Sequence, residues 1–461
     1  MKILQGGIVI LKKIKNHPLL MGTILLTCSG IISKIMGFFY KVFLSHTIGA
    51  NGLGLYQLIF PIFVLCLAIS TSGIQTSISR FVAMEKAKGL SGRIYLALGL
   101  IISVTLSLIL MIFIHVYAPW LAQNILMEPR AQDLLRIMSY SLIPSCIHSC
   151  FNGYYYGKKN SVIPSVCQIM EQLFRVGGTY VMYLVLNQQG LPLLPIHAVW
   201  GLVISEFAGL LISLTAFLWQ TGSSLKSGSN SISDNKYKFS NMFTKLSLPL
   251  FALITMALPL TLNHLLLTLT HSMENLLIPQ QLVSFGYTSE EALSHFGILS
   301  GMAMSVIMAP TALTGSLSVL LLPRISEAKT TGDTHLISET IKGAAGCGIT
   351  LGSLCTFLFL FGADWIGAVL FDTPVAGFYI QILSILCPFF YTSGLLNSIL
   401  VGLGHAGLGL LCNLSGCLVR IIGIWFFMPE YGMYAYIIAL IASFVLTTAE
   451  LLLVVSLKYR E

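Results

Sequence analysis

The sequence predicts an all-α polytopic membrane protein of twelve transmembrane helices, arranged as two six-helix lobes. Three observations predict it. Of the 461 residues, 56% are hydrophobic and 9% are charged, where a soluble domain carries about 25% charged residues. Apolar runs recur along the whole chain, each close to the ~20 residues that a spanning helix needs. Basic residues gather in alternate inter-helix segments, the asymmetry that orients helices in a bilayer.

Taken in order, the helices read as 19–44, 54–79, 94–117, 134–156, 161–187, 195–220, 244–270, 296–322, 340–362, 376–402, 406–428 and 432–457. With the N-terminus assigned to the cytoplasm, Lys12, Lys13, Lys86, Lys88, Lys158, Lys159, Lys329 and Lys458 fall on the inner side or at its edge. Arg130 and Arg136 alone fall on or near the outer side. This predicts a multi-pass membrane protein with both termini on the inner side. The apolar run after the N-terminal lysines is too long for a cleaved leader, and no small-residue cleavage site follows it. The net charge of +8 then reports topology, and no nucleic-acid partner is expected.

Thr221–Asn241, rich in Ser, Gly, Asn and Lys, reads as a cytoplasmic linker. It divides the chain into an N-terminal lobe (1–220), the linker (221–243) and a C-terminal lobe (244–461). The lobes look like repeats. Gly157 and Gly402 each precede an arginine, Arg175 and Arg420, by the same eighteen residues, and Pro144 and Pro388 stand before those glycines. The second and eighth helices end alike, in SISRFVAMEKAKG and LLPRISEAKTTGD. Each half holds an even number of spans, so an axis along the membrane normal relates them.

Charge within the spans marks the candidate site. Lys34 and Lys41 are two turns apart on one face of the first helix, roughly 10 Å along its axis. An ammonium in hydrocarbon costs roughly 2.5–3.5 kcal/mol at mid-helix. That face therefore turns to water, to protein or to an anion. Lys41, near the outer end, can also snorkel to the headgroups. Glu171 and Arg175 stand four apart and can pair along the fifth helix. Arg420 has no acid at the matching position and needs a partner from another helix or from a ligand. Glu206 can answer either arginine. The seventh helix carries His264 and, at its end, His271, seven residues apart, with Glu274 one turn beyond in the outer segment 272–295; the histidines read either as packing or interfacial groups or as proton carriers. His148 reads as a lone packing histidine. The ten cysteines all lie in apolar stretches and form no C-x-x-C pair, so disulfides and metal sites are not expected. No Walker A motif occurs, no cofactor is implied, and no loop is long enough for a catalytic domain, so enzymatic activity is not expected.

The run beginning SKIMGFFYKVFLSHTIGANGLGLYQLIF resembles the stage V sporulation protein B group. Three further stretches agree with it: FNGYYYGKKNSVIPSVCQIMEQLFRV, ENLLIPQQLVSFGYTSEEA and LLPRISEA. That polysaccharide biosynthesis group (MurJ- and Wzx-like) belongs to the multidrug and oligosaccharidyl-lipid exporter (MATE/MOP) superfamily. The resemblance implies a V-shaped pair of lobes and movement of a lipid-linked saccharide across the cytoplasmic membrane. By motif, Lys34 and Lys41 take the basic positions of S-K-x-x-G-x-x-Y-[KR], and Arg80 and Arg324 end matching runs in the two halves. Glu274 stands where the family often has an acid before an Ile-Pro step. Gln75 replaces a usual proline, and Lys41 a common arginine. The twelve helices end at Glu461 where many members carry two more, so the lipid-tail route stays open.

Lys34, Lys41, Arg80, Arg175, Arg324 and Arg420 are the expected substrate-binding residues, for a pyrophosphate-linked sugar lipid. Glu171, Glu206, His264, His271 and Glu274 are expected as ion pairs or as H+ or Na+ coupling groups. The alternative is a cation-coupled multidrug exporter.

Overall fold

A computed structural model describes residues 18–226 and 242–458, which are almost entirely helical. Helix α1 (Pro18–Leu67) turns sharply at Gly49, where φ 69° and ψ 178° lie in a region open to glycine alone. It therefore supplies two passes. The second continues through a π-helical turn at Ala68–Ser72 into α2 (Gly73–Ala87). Gln75 sits in α2 without interrupting it, and the irregularity falls just before it. Then come α3 (Arg93–Trp120), α4 (Ala131–Ser139), α5 (Leu142–Gly157), α6 (Val162–Gln188) and α7 (Pro195–Lys226).

The second half opens with α8 (Met242–Phe285), followed by α9 (Ser289–Phe296), a π-helical stretch at Gly297–Ala303, α10 (Met304–Met308) and α11 (Thr311–Thr331). It closes with α12 (Thr334–Phe371), α13 (Pro374–Leu383), α14 (Cys387–Gly402), α15 (Ala406–Ile422), α16 (Met428–Tyr431) and α17 (Met433–Lys458). Among the described residues, nine helical stretches are long and apolar enough to cross a membrane, and one of them, Ile24–Ala87, is long enough at 64 residues for two. Divided at Gly49 and at the turns, the elements form twelve consecutive passes, consistent with the expected number.

Several boundaries differ from the sequence reading: the second helix runs on to Ala87, the eighth to Thr331, and the ninth spans Thr334–Phe371. The seventh pass runs to Phe285 instead of 270, and the eighth starts at Ser289 instead of 296. The segment 272–295, expected as an outer loop, is helix on both sides of a short turn. A Thr288–Glu291 capping box starts the second helix. The physical reason is that its polar residues are satisfied by other helices. Ser272 donates to the Pro61 carbonyl, Gln280 to the Ile125 carbonyl, and Glu274 meets Tyr436 and Arg420. Of the expected linker, Thr221–Lys226 extends α7, and residues 227–241 lie outside the described residues.

Successive passes alternate, so the turns at 88–92, 158–161, 332–333 and 403–405 share one end, here the basic end. Those at 126–130, 189–194, 286–288 and 372–373 share the far end. Toward the far end both halves contribute to one apolar core, in which Leu53, Leu58 and Ile59 join Leu293, Phe296 and Leu299. Close approach there depends on glycine. A Cβ on Gly54 would collide with the Leu293 carbonyl, and one on Gly297 with the Ala50 carbonyl. Elsewhere the cores are separate. Leu321, Ile325 and Leu403 form one in the second half, while Ile78, Val82 and Tyr154 form another in the first, joined only by Leu253 and Ala257 of α8. The halves thus share one core at the far end, and away from it they meet through α8, where Gly73 of α2 lies against the Ala257 carbonyl.

Candidate functional site

The first pass packs on α6 through one stripe of small and polar side chains. Ser29 donates to Gln168 at 3.1 Å, and Tyr40 shares a 3.0 Å hydrogen bond with Thr179. Gly37 leaves room for Gln172. Lys34 and Lys41 each follow a residue of that stripe, about 100° further round the helix. Both therefore turn away from α6, and Lys34 meets the second half. Lys34 is exposed, and its Nζ lies 3.4 Å from Thr311 Oγ1 at the start of α11, close to Gly315. Lys41, two turns farther along, is half-buried. Arg80 is exposed on α2, with Nη1 3.9 Å from Met256 Sδ of α8. Arg324 is exposed on α11. Among the described residues none of these four cations has an acid within ion-pair distance.

The other two expected cations are neutralised. Arg175 places Nη2 3.4 Å from Glu206 Oε1 and donates from Nε to Ser205 at 3.2 Å. Arg420 places Nε 2.9 Å from Glu274 Oε1 and donates from Nη1 to Ser443 at 3.1 Å. Nε of Arg420 is not aligned to donate, so its contact with Glu274 is a charge pair. The repeat is visible here. In each half the fifth-pass arginine donates to a serine of the sixth pass. Glycines on either side allow the approach, since a Cβ on Gly201 would strike Thr179, and one on Gly416 would strike Thr447.

Two readings are corrected. Glu171 does not pair with Arg175, because Arg175 is drawn across to Glu206 and the Glu171 carboxylate turns the other way. His148 is not a lone packing group. Its Nδ1 lies 3.2 Å from Glu171 Oε1 and its Nε2 3.3 Å from Glu206 Oε2. The spacing of Ser145, His148 and Asn152 is the signal that could have found it, a polar stripe at helical period on a buried helix. In the second half, Arg420 is answered by Glu274 of α8. Tyr436 donates to Glu274 at 2.9 Å, and His271 Nδ1 lies 3.7 Å from its other oxygen. His264 is exposed and lies within hydrogen-bond distance of its neighbour Thr268.

A third cluster, unforeseen in the sequence, joins the halves at the far end. Arg130 binds Glu128 through Nε at 2.7 Å and Nη2 at 3.1 Å, and reaches Glu290 of α9 at 3.2 Å. Ser289 donates to Glu128, and Asn51 to the Glu290 carbonyl. Burial alone would raise the Glu128 carboxyl, but the hydrogen bonds of Arg130 and Ser289 outweigh it and hold the group below its ordinary value.

Two related helical halves, closed at one end and facing each other across a seam with unpaired cations, define a multi-pass membrane protein of the two-lobed type. The model of the family described as polysaccharide biosynthesis protein matches residues 19–329, and the chain belongs to that family. Stage V sporulation protein B of Bacillus subtilis (strain 168) is 26% identical over 458 residues, covering 97% of this chain and 86% of that protein. Lipid II flippase MurJ of the same strain is 25% identical over 375 residues, covering 76% and 67%. Among solved structures, lipid II flippase MurJ in an inward closed conformation matches with TM-score 0.69 and 15% identity, covering 94% of this chain and 87% of that one. An inward-facing multidrug resistance MATE transporter of the MOP superfamily matches with TM-score 0.66 and 12% identity, covering 93% and 95%. At these identities the structural likeness shows the fold.

Proposed function

We propose that the protein is an alternating-access flippase for an isoprenoid-pyrophosphate-linked saccharide, a peptidoglycan precursor or a polysaccharide unit, in a bacterial cytoplasmic membrane. The observation that carries this reading is the set of unpaired cations on the two facing halves: Lys34, Lys41 and Arg80 on one, Arg324 on the other. A phosphate group is the anion that ammonium and guanidinium groups bind best. The names of the relatives supply the substrate class. The basic end is the cytoplasmic one by its charge, the side where such lipids are made. Residues 1–220 and 244–461 act as the two moving lobes. Arg175 and Arg420 hold helices together and do not bind substrate, because each is already matched by a carboxylate.

The reading is tested in proteoliposomes with a fluorescent sugar-pyrophosphate lipid added to one leaflet. Wild-type protein should equilibrate the label between leaflets. Lys34→Ala should slow this at least fivefold with unchanged folding, since Lys34 is exposed and its removal opens no cavity. Flipping at the wild-type rate in Lys34→Ala would remove Lys34 from the path. Export of a cationic dye in place of the sugar lipid would replace the reading with a drug exporter.

A further inference from the structure

Two adjoining cavities at the far end of the second half stand apart from the cations of the seam. The smaller, about 170 Å³, is walled by Phe285, Tyr287, His295, Phe378, Tyr379 and Tyr434. The larger, about 550 Å³, is a groove between α17 and α15 with its following π-helical turn, Gly423–Phe427. Its walls are Val419, Ile422, Phe427 and Ile438, and the last three are exposed, so it opens sideways. A Cβ on Gly423 would strike Ala439, so the two passes touch there and the larger side chains stand as walls. Tyr431 and Tyr434 line both spaces, and the groove therefore leads into the pocket.

The pocket is built inward. Tyrosines of an ordinary interfacial belt turn their rings out to lipid. Here Tyr379 is 4% exposed, and its hydroxyl lies 2.8 Å from His295 Nδ1. Tyr287 stacks on the imidazole with centroids 4.9 Å apart, and Phe378 meets Tyr434 edge-on at 6.1 Å. Gly432, at φ 59° and ψ −143°, brings its backbone against the Phe285 ring, where a Cβ would sit 3.0 Å away. The hydroxyls of Tyr287, Tyr431 and Tyr434 make no hydrogen bond among the described residues.

Charge selects the ligand. No Lys, Arg, Asp or Glu lines either space. The stretches 272–300, 360–380 and 423–440, which form this end, hold no Lys or Arg, whereas Glu290, Glu291, Asp372 and Glu430 stand there. Arg130, reaching over from the first half, is taken by Glu128 and Glu290. Every phospholipid head, zwitterionic ones included, carries a phosphate, and a phosphate here would meet carboxylates and no free cation. The same argument excludes a sugar-pyrophosphate lipid. A sugar head without phosphate fits. Its ring faces are C–H surfaces for the aromatic rings, and its hydroxyls can exchange hydrogen bonds with the tyrosines and His295. The pocket is smaller than the ~300 Å³ of a drug-sized site, which suits a single sugar ring.

We propose that groove and pocket together bind a phosphate-free glycosyl lipid of the far leaflet, an acyl chain in the groove and a sugar ring in the pocket. The pocket draws its walls from α8, α9, α13 and α17, so the bound lipid ties these helices together at that end. The site does not depend on the flippase reading.

The test uses the full chain in a polyoxyethylene detergent, which carries no sugar. Equal amounts of diglucosyl-diacylglycerol, phosphatidylglycerol and phosphatidylcholine are added, and bound lipid is counted by native mass spectrometry. Wild-type protein should retain the glycolipid at least fivefold over either phospholipid. Tyr434→Ala and, independently, Tyr431→Ala should lose that preference. Both rings are more than half exposed, at 59% and 60%, so their removal opens no core cavity. Trp219→Ala, which removes an exposed ring on α7, should keep the preference. The glycolipid should also raise the melting temperature of wild type and not that of the two tyrosine variants. Equal retention of the three lipids by wild type would mean annular lipid only and overturn the site. A preference for phosphatidylcholine or phosphatidylglycerol would overturn the assignment to a sugar head. A glycolipid preference unchanged in both tyrosine variants would place the lipid elsewhere and overturn it as well.

Discussion

Removing Arg420 should be among the most damaging single changes in the chain. Glu274 is 7% exposed, and its charge is met by Arg420 Nε at 2.9 Å, by Tyr436 at 2.9 Å and by His271 at 3.7 Å. Arg420→Ala leaves that carboxylate buried with one neutral donor and one exposed histidine. Breaking a buried pair from one side costs about 3–5 kcal/mol. Arg420→Lys keeps the charge but loses the fork that also reaches Ser443 and Cys417, a loss of about 1–3 kcal/mol. Glu274→Gln in the Arg420→Ala background removes the stranded charge, so the double variant should be more stable than the sum of the singles predicts. The assay is denaturant unfolding in detergent micelles followed by intrinsic fluorescence, run as a double-mutant cycle. Additive singles, or a loss below about 1 kcal/mol for Arg420→Ala, would refute the view of Arg420 as a structural charge. Arg175→Ala supplies the contrast. Glu206 keeps His148 as a neighbour, so the same assay should read a smaller loss.

Three further outcomes follow from the geometry. Gly54→Ala should destabilise the protein by about 1–3 kcal/mol in the same unfolding assay, because its methyl collides with the Leu293 carbonyl where the halves cross. A Glu290→Gln variant should leave Glu128 paired but loosen the far end, measured as faster hydrogen exchange at residues 126–130 and 286–292. Glu128 has its carboxyl held below the ordinary 4.5, so its contribution to stability is fully present above that value and is lost as pH falls through the lower folded-state value. Far-end hydrogen-exchange protection should accordingly be flat from neutral pH down to about 4.5 and weaken below it. In Arg130→Ala protection should be lower already at neutral pH and should fall less on acidification, because the depression of the Glu128 carboxyl is lost.

The sequence by itself determined the class and the repeat. Apolar runs of bilayer length leave helices as the sole way to satisfy the backbone. Gly157, Arg175, Gly402 and Arg420 at matched spacing marked two halves before any coordinates. Lys34 and Lys41 were legible too, since an ammonium in an apolar helix demands an explanation from one helix alone. The tertiary structure decided which charges are free. Arg175 and Arg420 stood with Lys34 among the expected substrate-binding residues, yet each meets a carboxylate on another helix, Glu206 or Glu274. The length of α8 was hidden for the same reason, because Ser272, Glu274 and Gln280 read as loop residues until their partners in other passes are known. His148 needed two other helices to bring Glu171 and Glu206 to its ring. Periodicity and composition are local properties of a chain, whereas the neutralisation of a buried charge is a property of the packing.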